Sequence, residues 1–114
     1  MITQTLKQEV SQLEANLCSS FSDPTRILIL YALHERPRNV TELTAELGAT
    51  QPTTSRHLKV LRDRGLVRAT RQGASTIYEV SDRRLIEALD LLRSVLRDRI
   101  ATQASLIAEI ESAT

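Results

Sequence analysis

Residues Thr41 to Leu66 constrain this chain more than any other stretch. They read T-E-L-T-A-E-L-G, then A-T-Q-P, then T-T-S-R-H-L-K-V-L-R-D-R-G-L. Leu43 and Leu47 lie one turn apart on a first helix. Gly48 suits the left-handed residue that ends it, and Thr50 suits the cap of a second helix with Pro52 in its first turn. Two short helices joined by so tight a turn form a helix-turn-helix, a motif that reads duplex DNA.

At about 100° per residue, Thr54, Leu58 and Leu61 fall on one side of the second helix and are expected to face the core. Arg56 points almost opposite, with Thr53, Ser55, Lys59 and Asp63 spread around it. Small hydroxyls near the start of such a helix let the backbone approach base edges, while Arg and Lys supply phosphate contacts or bidentate guanine contacts. The candidate DNA contacts on the motif are Thr41, Thr50, Gln51, Thr53, Thr54, Ser55, Arg56, His57 and Lys59. His57 falls at the edge of the core face, where a DNA contact or simple packing accounts for it better than metal binding. The alternative for any one cation is an ordinary solvated helix face.

Charge distribution favours the DNA reading. Arg36 to Arg71 holds eight cations against three anions, a net of +5, whereas the whole chain is only +1 and the remainder therefore −4. A basic middle between acidic flanks is the footprint expected of a DNA-facing surface, and its binding is expected to depend strongly on salt.

Leu66 to Val80 follows as two β segments around Gln72-Gly73. Thr76, Tyr78 and Val80 alternate with Ile77 and Glu79, the period of a half-buried strand. A hairpin directly after a recognition helix is a wing. Its tip would carry Arg71 and Gln72 within reach of an adjacent minor groove or the backbone, with Arg68 and Thr70 nearer the base. A hairpin that only completes the core, its arginines in solvent, is the alternative.

The two ends carry apolar stripes. Leu6, Val10, Leu13 and Leu17 recur at helical spacing, and so do Leu85, Leu89, Leu92 and Leu96, with Leu106 and Ile110 in phase beyond Arg99 and Gln103. Ile86, Leu91, Val95, Ile100 and Ile107 broaden the second face. So wide a face has to be buried, and a two-fold partner is the expected cover. Residues 5–20 and 82–112 are thus expected as dimerisation helices, with Leu6, Val10, Leu13, Leu17, Leu89, Leu92 and Leu96 at the interface. Packing within one chain is the alternative. Between these elements Asp23 caps a helix that begins at Pro24, and Ile27, Leu28, Leu30, Tyr31 and Leu33 are expected at the centre of the core.

S-D-P-T-R at Ser22 to Arg26, Q-P-T-T-S-R-H-L-K-V-L at Gln51 to Leu61 and R-G-L-V at Arg64 to Val67 resemble the ArsR/SmtB family, and the likeness runs over nearly the whole chain. The resemblance implies a small, mainly α winged helix-turn-helix repressor with one β-hairpin. It would act as a homodimer on an operator and be released by a metal or another chemical signal. In relatives with a thiol metal site the corresponding positions are Asn39, Thr41 and Thr44, none of them a soft ligand. In relatives with a terminal-helix zinc site the ligands are Asp, His and Glu pairs. Here that helix has no histidine and retains only Asp90, Asp98 and Glu109, poor zinc ligands on their own. No metal and no other cofactor is therefore expected, and the inducer is unassigned.

Cys18, the lone cysteine, is a candidate redox switch through oxidation or pairing with its symmetry mate; a small buried hydrophobe is the plainer alternative. His34 closes a helix, where an imidazolium meets the C-terminal dipole favourably. Catalysis finds no support, since there is no Gly-rich phosphate loop, nucleophile elbow or His/Cys/carboxylate cluster. At 114 residues and 3% aromatic content, a single domain with a Leu, Ile, Val and Ala core is expected. One cysteine, no apolar run of about 20 residues and no apolar leader point to the cytoplasm, away from membranes. The expected function is binding to an inverted-repeat operator in double-stranded DNA with half-sites about one helical turn apart. A winged-helix interaction scaffold without an operator is the rival.

Overall fold

The structure, a computed structural model, describes residues 1–113. Five α-helices and one hairpin follow in the order α1 (Gln4–Gln12), α2 (Pro24–Glu35), α3 (Val40–Leu47), α4 (Gln51–Asp63), β1 (Val67–Gln72), β2 (Ser75–Val80) and α5 (Arg84–Ala113). They divide into two compact units. One runs from Met1 to Arg83 and the other begins at Arg84 with α5.

Local chemistry accounts for each boundary in the first unit. Thr3 caps α1, its hydroxyl accepting from the Leu6 amide at 3.1 Å. The first helix was expected to run regularly to residue 20, but α1 ends at Gln12 and continues as a π-helical turn, Leu13–Leu17, and a 3-10 turn, Cys18–Ser22. The Ser19 and Ser20 hydroxyls donate to the Ala15 and Asn16 carbonyls there, competing with the helical ladder as serines do. Asp23 caps α2, its carboxylate accepting from the Thr25 amide at 2.8 Å, and Pro24 opens the helix as expected. Asn39 and Glu42 form a reciprocal capping box that starts α3 one residue before the Thr41 predicted from sequence.

Gly48 ends α3 at φ 64° and Thr50 caps α4, so the turn of the helix-turn-helix matches its sequence expectation. The hairpin pairs Val67 with Val80 through Gln72 with Ser75. Its loop is therefore Gly73-Ala74 and not Gln72-Gly73. Gly73 has φ 61° at the first loop position, where two-residue hairpins favour glycine.

The core of this unit joins Ile29, Leu30, Ala32 and Leu33 of α2, Leu43 of α3, Leu58 and Leu61 of α4, and Leu66 and Val67 at the start of the wing. The expectation for α2 is corrected in register. Ile29 and Ala32 are inside, Leu28 is 55% exposed, and Ile27 and Tyr31 are only half-buried. I-L-I-L is apolar on every side, so its sequence marks no inward face; the neighbouring helices select it. Arg38, counted from sequence among the surface cations, is also inside. Its backbone pairs with that of Tyr78, and its guanidinium lies 3.3 Å from Glu35 and 3.2 Å from Glu46.

In α5, Ile86 and Leu89 are buried, whereas Leu91, Leu92, Val95, Leu96, Ile100, Leu106, Ile107 and Ile110 are all more than half exposed. Leu89, expected at a dimer interface, is 4% exposed. In α1, Leu6 and Val10 are exposed, as is Leu13 just beyond it, and Leu17 is half-buried. No helix among the described residues is long and apolar enough to cross a membrane.

A Cβ added at Gly48 would meet no atom within 4 Å, so only the left-handed backbone resists substitution. Gly48→Ala is expected to lower unfolding free energy by about 1–2 kcal/mol, read as a lower urea midpoint at unchanged slope. An unshifted midpoint would contradict the left-handed end of α3.

Candidate nucleic-acid interface

Helix α4 owes its orientation to its inward face. Thr54, His57, Leu58 and Leu61 are each 5% exposed or less. With that face buried, the 100° step turns Arg56 outward, flanked by exposed Gln51, Ser55, Lys59 and Arg62. Thr50 spends its hydroxyl on the cap, donating to the Thr53 hydroxyl at 2.9 Å and accepting from the Thr53 amide. Thr41 is exposed on α3.

Two candidates leave the DNA-facing set. Thr54 is fully buried, and its hydroxyl donates to the Thr50 carbonyl at 3.0 Å. Its methyl-bearing side chain packs inside because position 54 shares the stripe of Leu58 and Leu61. His57 is buried in a polar junction, its Nδ1 3.2 Å from Nη1 of Arg26 and its Nε2 3.7 Å from Oδ2 of Asp23. A guanidinium can only donate. Nδ1 is therefore placed to accept, and Nε2 faces the Asp23 carboxylate. Arg26 also donates to the Ser20 carbonyl at 2.7 Å and the Ser22 hydroxyl at 3.1 Å. At the far end of α4, Arg64 reaches the Ser19 and Ser20 hydroxyls. Ser22 to Arg26 and the buried His57 thus clamp α4 from the side away from its exposed face.

The basic middle is unevenly neutralised. Arg36 pairs with Glu42 at 2.9 Å, Lys59 with Asp63 at 2.9 Å, and Arg68 with its cross-strand neighbour Glu79 at 3.2 Å. Hydrogen bonds from Arg36 and the Asn39 amide hold the Glu42 carboxyl below its ordinary value. Arg56 and Arg62 form no ion pair among the described residues. At the wing tip the Arg71 side chain makes, among the described residues, only a 3.3 Å hydrogen bond to the Gly73 carbonyl, and Gln72 beside it is exposed. Arg56, Arg62 and Arg71 are consequently the cations left available to an external anion.

Asn39, Thr41 and Thr44 are the positions that the resemblance set against a thiol metal site. Asn39 is committed to its cap, Thr41 and Thr44 carry only hydroxyls, and the Thr44 hydroxyl is buried without a partner. No group of three or more His, Cys, Asp or Glu side chains converges among the described residues. Cys18 is exposed, and its thiol is not the buried hydrophobe of the plainer alternative.

A helix-turn-helix with an exposed second helix, followed at once by an antiparallel hairpin, defines a winged helix-turn-helix protein. The family model for bacterial regulatory proteins of the arsR family matches residues 23–69. The transcriptional regulator MJ1325 of Methanocaldococcus jannaschii is 37% identical over 79 residues, which cover 68% of this chain and 89% of that one. The crystal structure of Rv0081 from Mycobacterium tuberculosis superposes with TM-score 0.72 at 30% identity, covering 90% of this chain and 99% of the other. A solution structure of the homodimeric winged helix-turn-helix domain Mb0332 from Mycobacterium bovis shares the fold at TM-score 0.74 and 22% identity, covering 87% of this chain and 91% of that one. The chain belongs to the ArsR family of transcriptional regulators, which are DNA-binding proteins and not enzymes.

Asp23 supplies a test of the clamp. The Thr25 amide, then the nearby His57 and Arg26, hold its carboxyl below the ordinary value against the opposing effect of desolvation. As acid is added, the unfolded chain takes up this proton first. The stability Asp23 contributes is therefore complete above the ordinary carboxylate range and is lost as pH falls through the lower folded-state value. Asp23→Asn keeps a capping oxygen but removes the charge. Its urea midpoint is expected to fall less steeply with acid than that of the unmodified chain; equal steepness would contradict the assignment.

Proposed function

We propose that this protein is a homodimeric repressor that binds an inverted-repeat operator, inserting α4 into the major groove and placing the wing tip alongside. The observation that carries this reading is the combination of a buried Thr54, His57, Leu58 and Leu61 with an outward, unpaired Arg56 on the same helix. Gln51, Ser55 and Arg56 would meet base edges. Thr41, Thr50, Thr53 and Lys59 would contact the backbone or pack beside it, and Arg71 and Gln72 would reach the adjacent groove or strand. Arg68 enters such a complex only by exchanging Glu79 for a phosphate.

The dimer is supported by apolar surface that a single chain leaves open. Leu6, Val10 and Leu13 near the N-terminus, and Leu92, Leu96 and their neighbours on α5, are exposed, and a second copy is the natural cover for both faces. The homodimeric state of the Mycobacterium bovis domain supports the same arrangement. A dimer of two reading helices accounts for an inverted repeat, and occupation of a promoter by it would exclude polymerase. The family likeness supports repression as the sign of regulation. Residues 41–64 act here as the reading motif, 66–80 as the wing, and the helical ends as the dimerisation elements of one protein that works in the cytoplasm without a metal.

Arg56→Ala tests the docking. Fluorescence anisotropy is expected to show a loss of about 1–3 kcal/mol in affinity for the preferred duplex, with relaxed preference at the base pair it reads. Unchanged affinity would contradict the proposed insertion of α4. Weak binding indifferent to sequence, in the unmodified protein, would favour an interaction scaffold instead.

A further inference from the structure

Helix α4 carries a second stripe beside its reading face. Ser55, Lys59 and Arg62 recur at i, i+4 and i+7, displaced round the helix from Arg56 by roughly 60–120°. With Leu58 and Asp63 they form one wall of an open groove of about 480 Å3, whose other wall is Tyr78 of β2.

The two walls are chemically complementary to an anion. The Arg62 side chain is exposed and makes no ion pair or hydrogen bond among the described residues. Asp63, the one acidic group in the lining, is occupied by Lys59 at 2.9 Å, so it does not cancel Arg62. Tyr78 is held in place by its backbone, which donates to the Arg38 carbonyl at 2.9 Å and accepts from the Arg38 amide at 3.1 Å. Arg38 is fixed in turn by Glu35 and Glu46. The Tyr78 hydroxyl makes no hydrogen bond among the described residues, so it and the unpaired Arg62 guanidinium are both donors lining one groove.

Topology identifies the anion. A duplex that takes α4 in its major groove and the hairpin at the adjacent minor groove has one sugar-phosphate strand between those grooves. That strand has to cross the gap between α4 and the hairpin, and this groove is that gap. We propose that the α4–β2 groove seats a backbone phosphate of the bound duplex, with Arg62 as its charge partner and the Tyr78 hydroxyl as a second donor. The proposal rests on the DNA-binding reading above and adds a sequence-independent contact to it. Arg62 and Tyr78 would set the depth and register at which α4 sits, without reading a base.

The test is a salt titration of anisotropy-measured affinity on two duplexes, the tightest one recovered by in vitro selection and a scrambled version of it. Neutralising one phosphate contributes about 0.9 to the slope of log K against log salt. Arg62→Ala is expected to lower that slope by about one on both duplexes while leaving their affinity ratio unchanged; Arg62→Gln serves as the second neutral variant. Arg62→Lys is expected to keep the slope. Tyr78→Phe is expected to weaken both duplexes at constant slope, because a neutral hydroxyl releases no counterion. An unmodified protein that binds with steep salt dependence, beside an Arg62→Ala slope equal to it, would overturn the phosphate seat alone. A loss confined to the selected duplex would also overturn it, by making Arg62 a base reader. An unmodified protein that binds neither duplex would overturn the DNA-binding reading, and the phosphate seat with it.

Discussion

The burial of one face of α4 is the constraint on which the rest of the architecture depends. Leu58 and Leu61 are almost wholly removed from water, worth roughly 1.5–3 kcal/mol each in transfer terms. A helix that satisfies this has no remaining rotational freedom. Its opposite side is then presented to solvent whatever that side contains, and what it contains is Arg56 with small hydroxyl neighbours. Function here is the complement of packing, because the residues that fold the helix decide where its cations point.

Polar contacts refine what the leucines begin. His57 receives a hydrogen bond from Arg26 and faces Asp23, while Arg64 reaches Ser19 and Ser20. These contacts tie the middle and the C-terminal end of α4 to the first turn of α2 and to the segment before it. His57 is buried within this network, and a buried polar group left without its partners costs more than the net worth of the bond itself. S-D-P-T-R and S-R-H-L, the motifs that carry the family likeness, therefore meet in space as one structural joint, and the likeness reports on how α4 is held as much as on what α4 reads.

Much of this was legible in the sequence where a residue type has one physical use. Gly48, Thr50, Asp23 and Pro24 each stand where chain geometry leaves few alternatives, and each does what its chemistry suggests. Legibility failed where the pattern was degenerate or the partner distant. The I-L-I-L run of α2 names no inward face. Arg38 reads as a surface cation until Tyr78, 40 residues away, pairs with its backbone. Leu89 belongs to a seam with Leu92 and Leu96 by spacing, yet it is buried and they are not. Thr54 and His57 carry groups that suit DNA as well as they suit a core, and only the position of neighbouring helices separates the two uses. The Arg62–Tyr78 groove was invisible because its walls come from different elements.

The central claim, that two copies of this chain present α4 to symmetric half-sites, is tested most directly by selecting from a random-sequence duplex pool and sequencing what the protein retains. The account predicts enrichment of an inverted repeat whose half-sites are centred about one helical turn apart, roughly 10–10.5 base pairs. Recovery of an asymmetric single site would contradict the dimer, and a pool without enrichment would contradict sequence reading by α4 altogether.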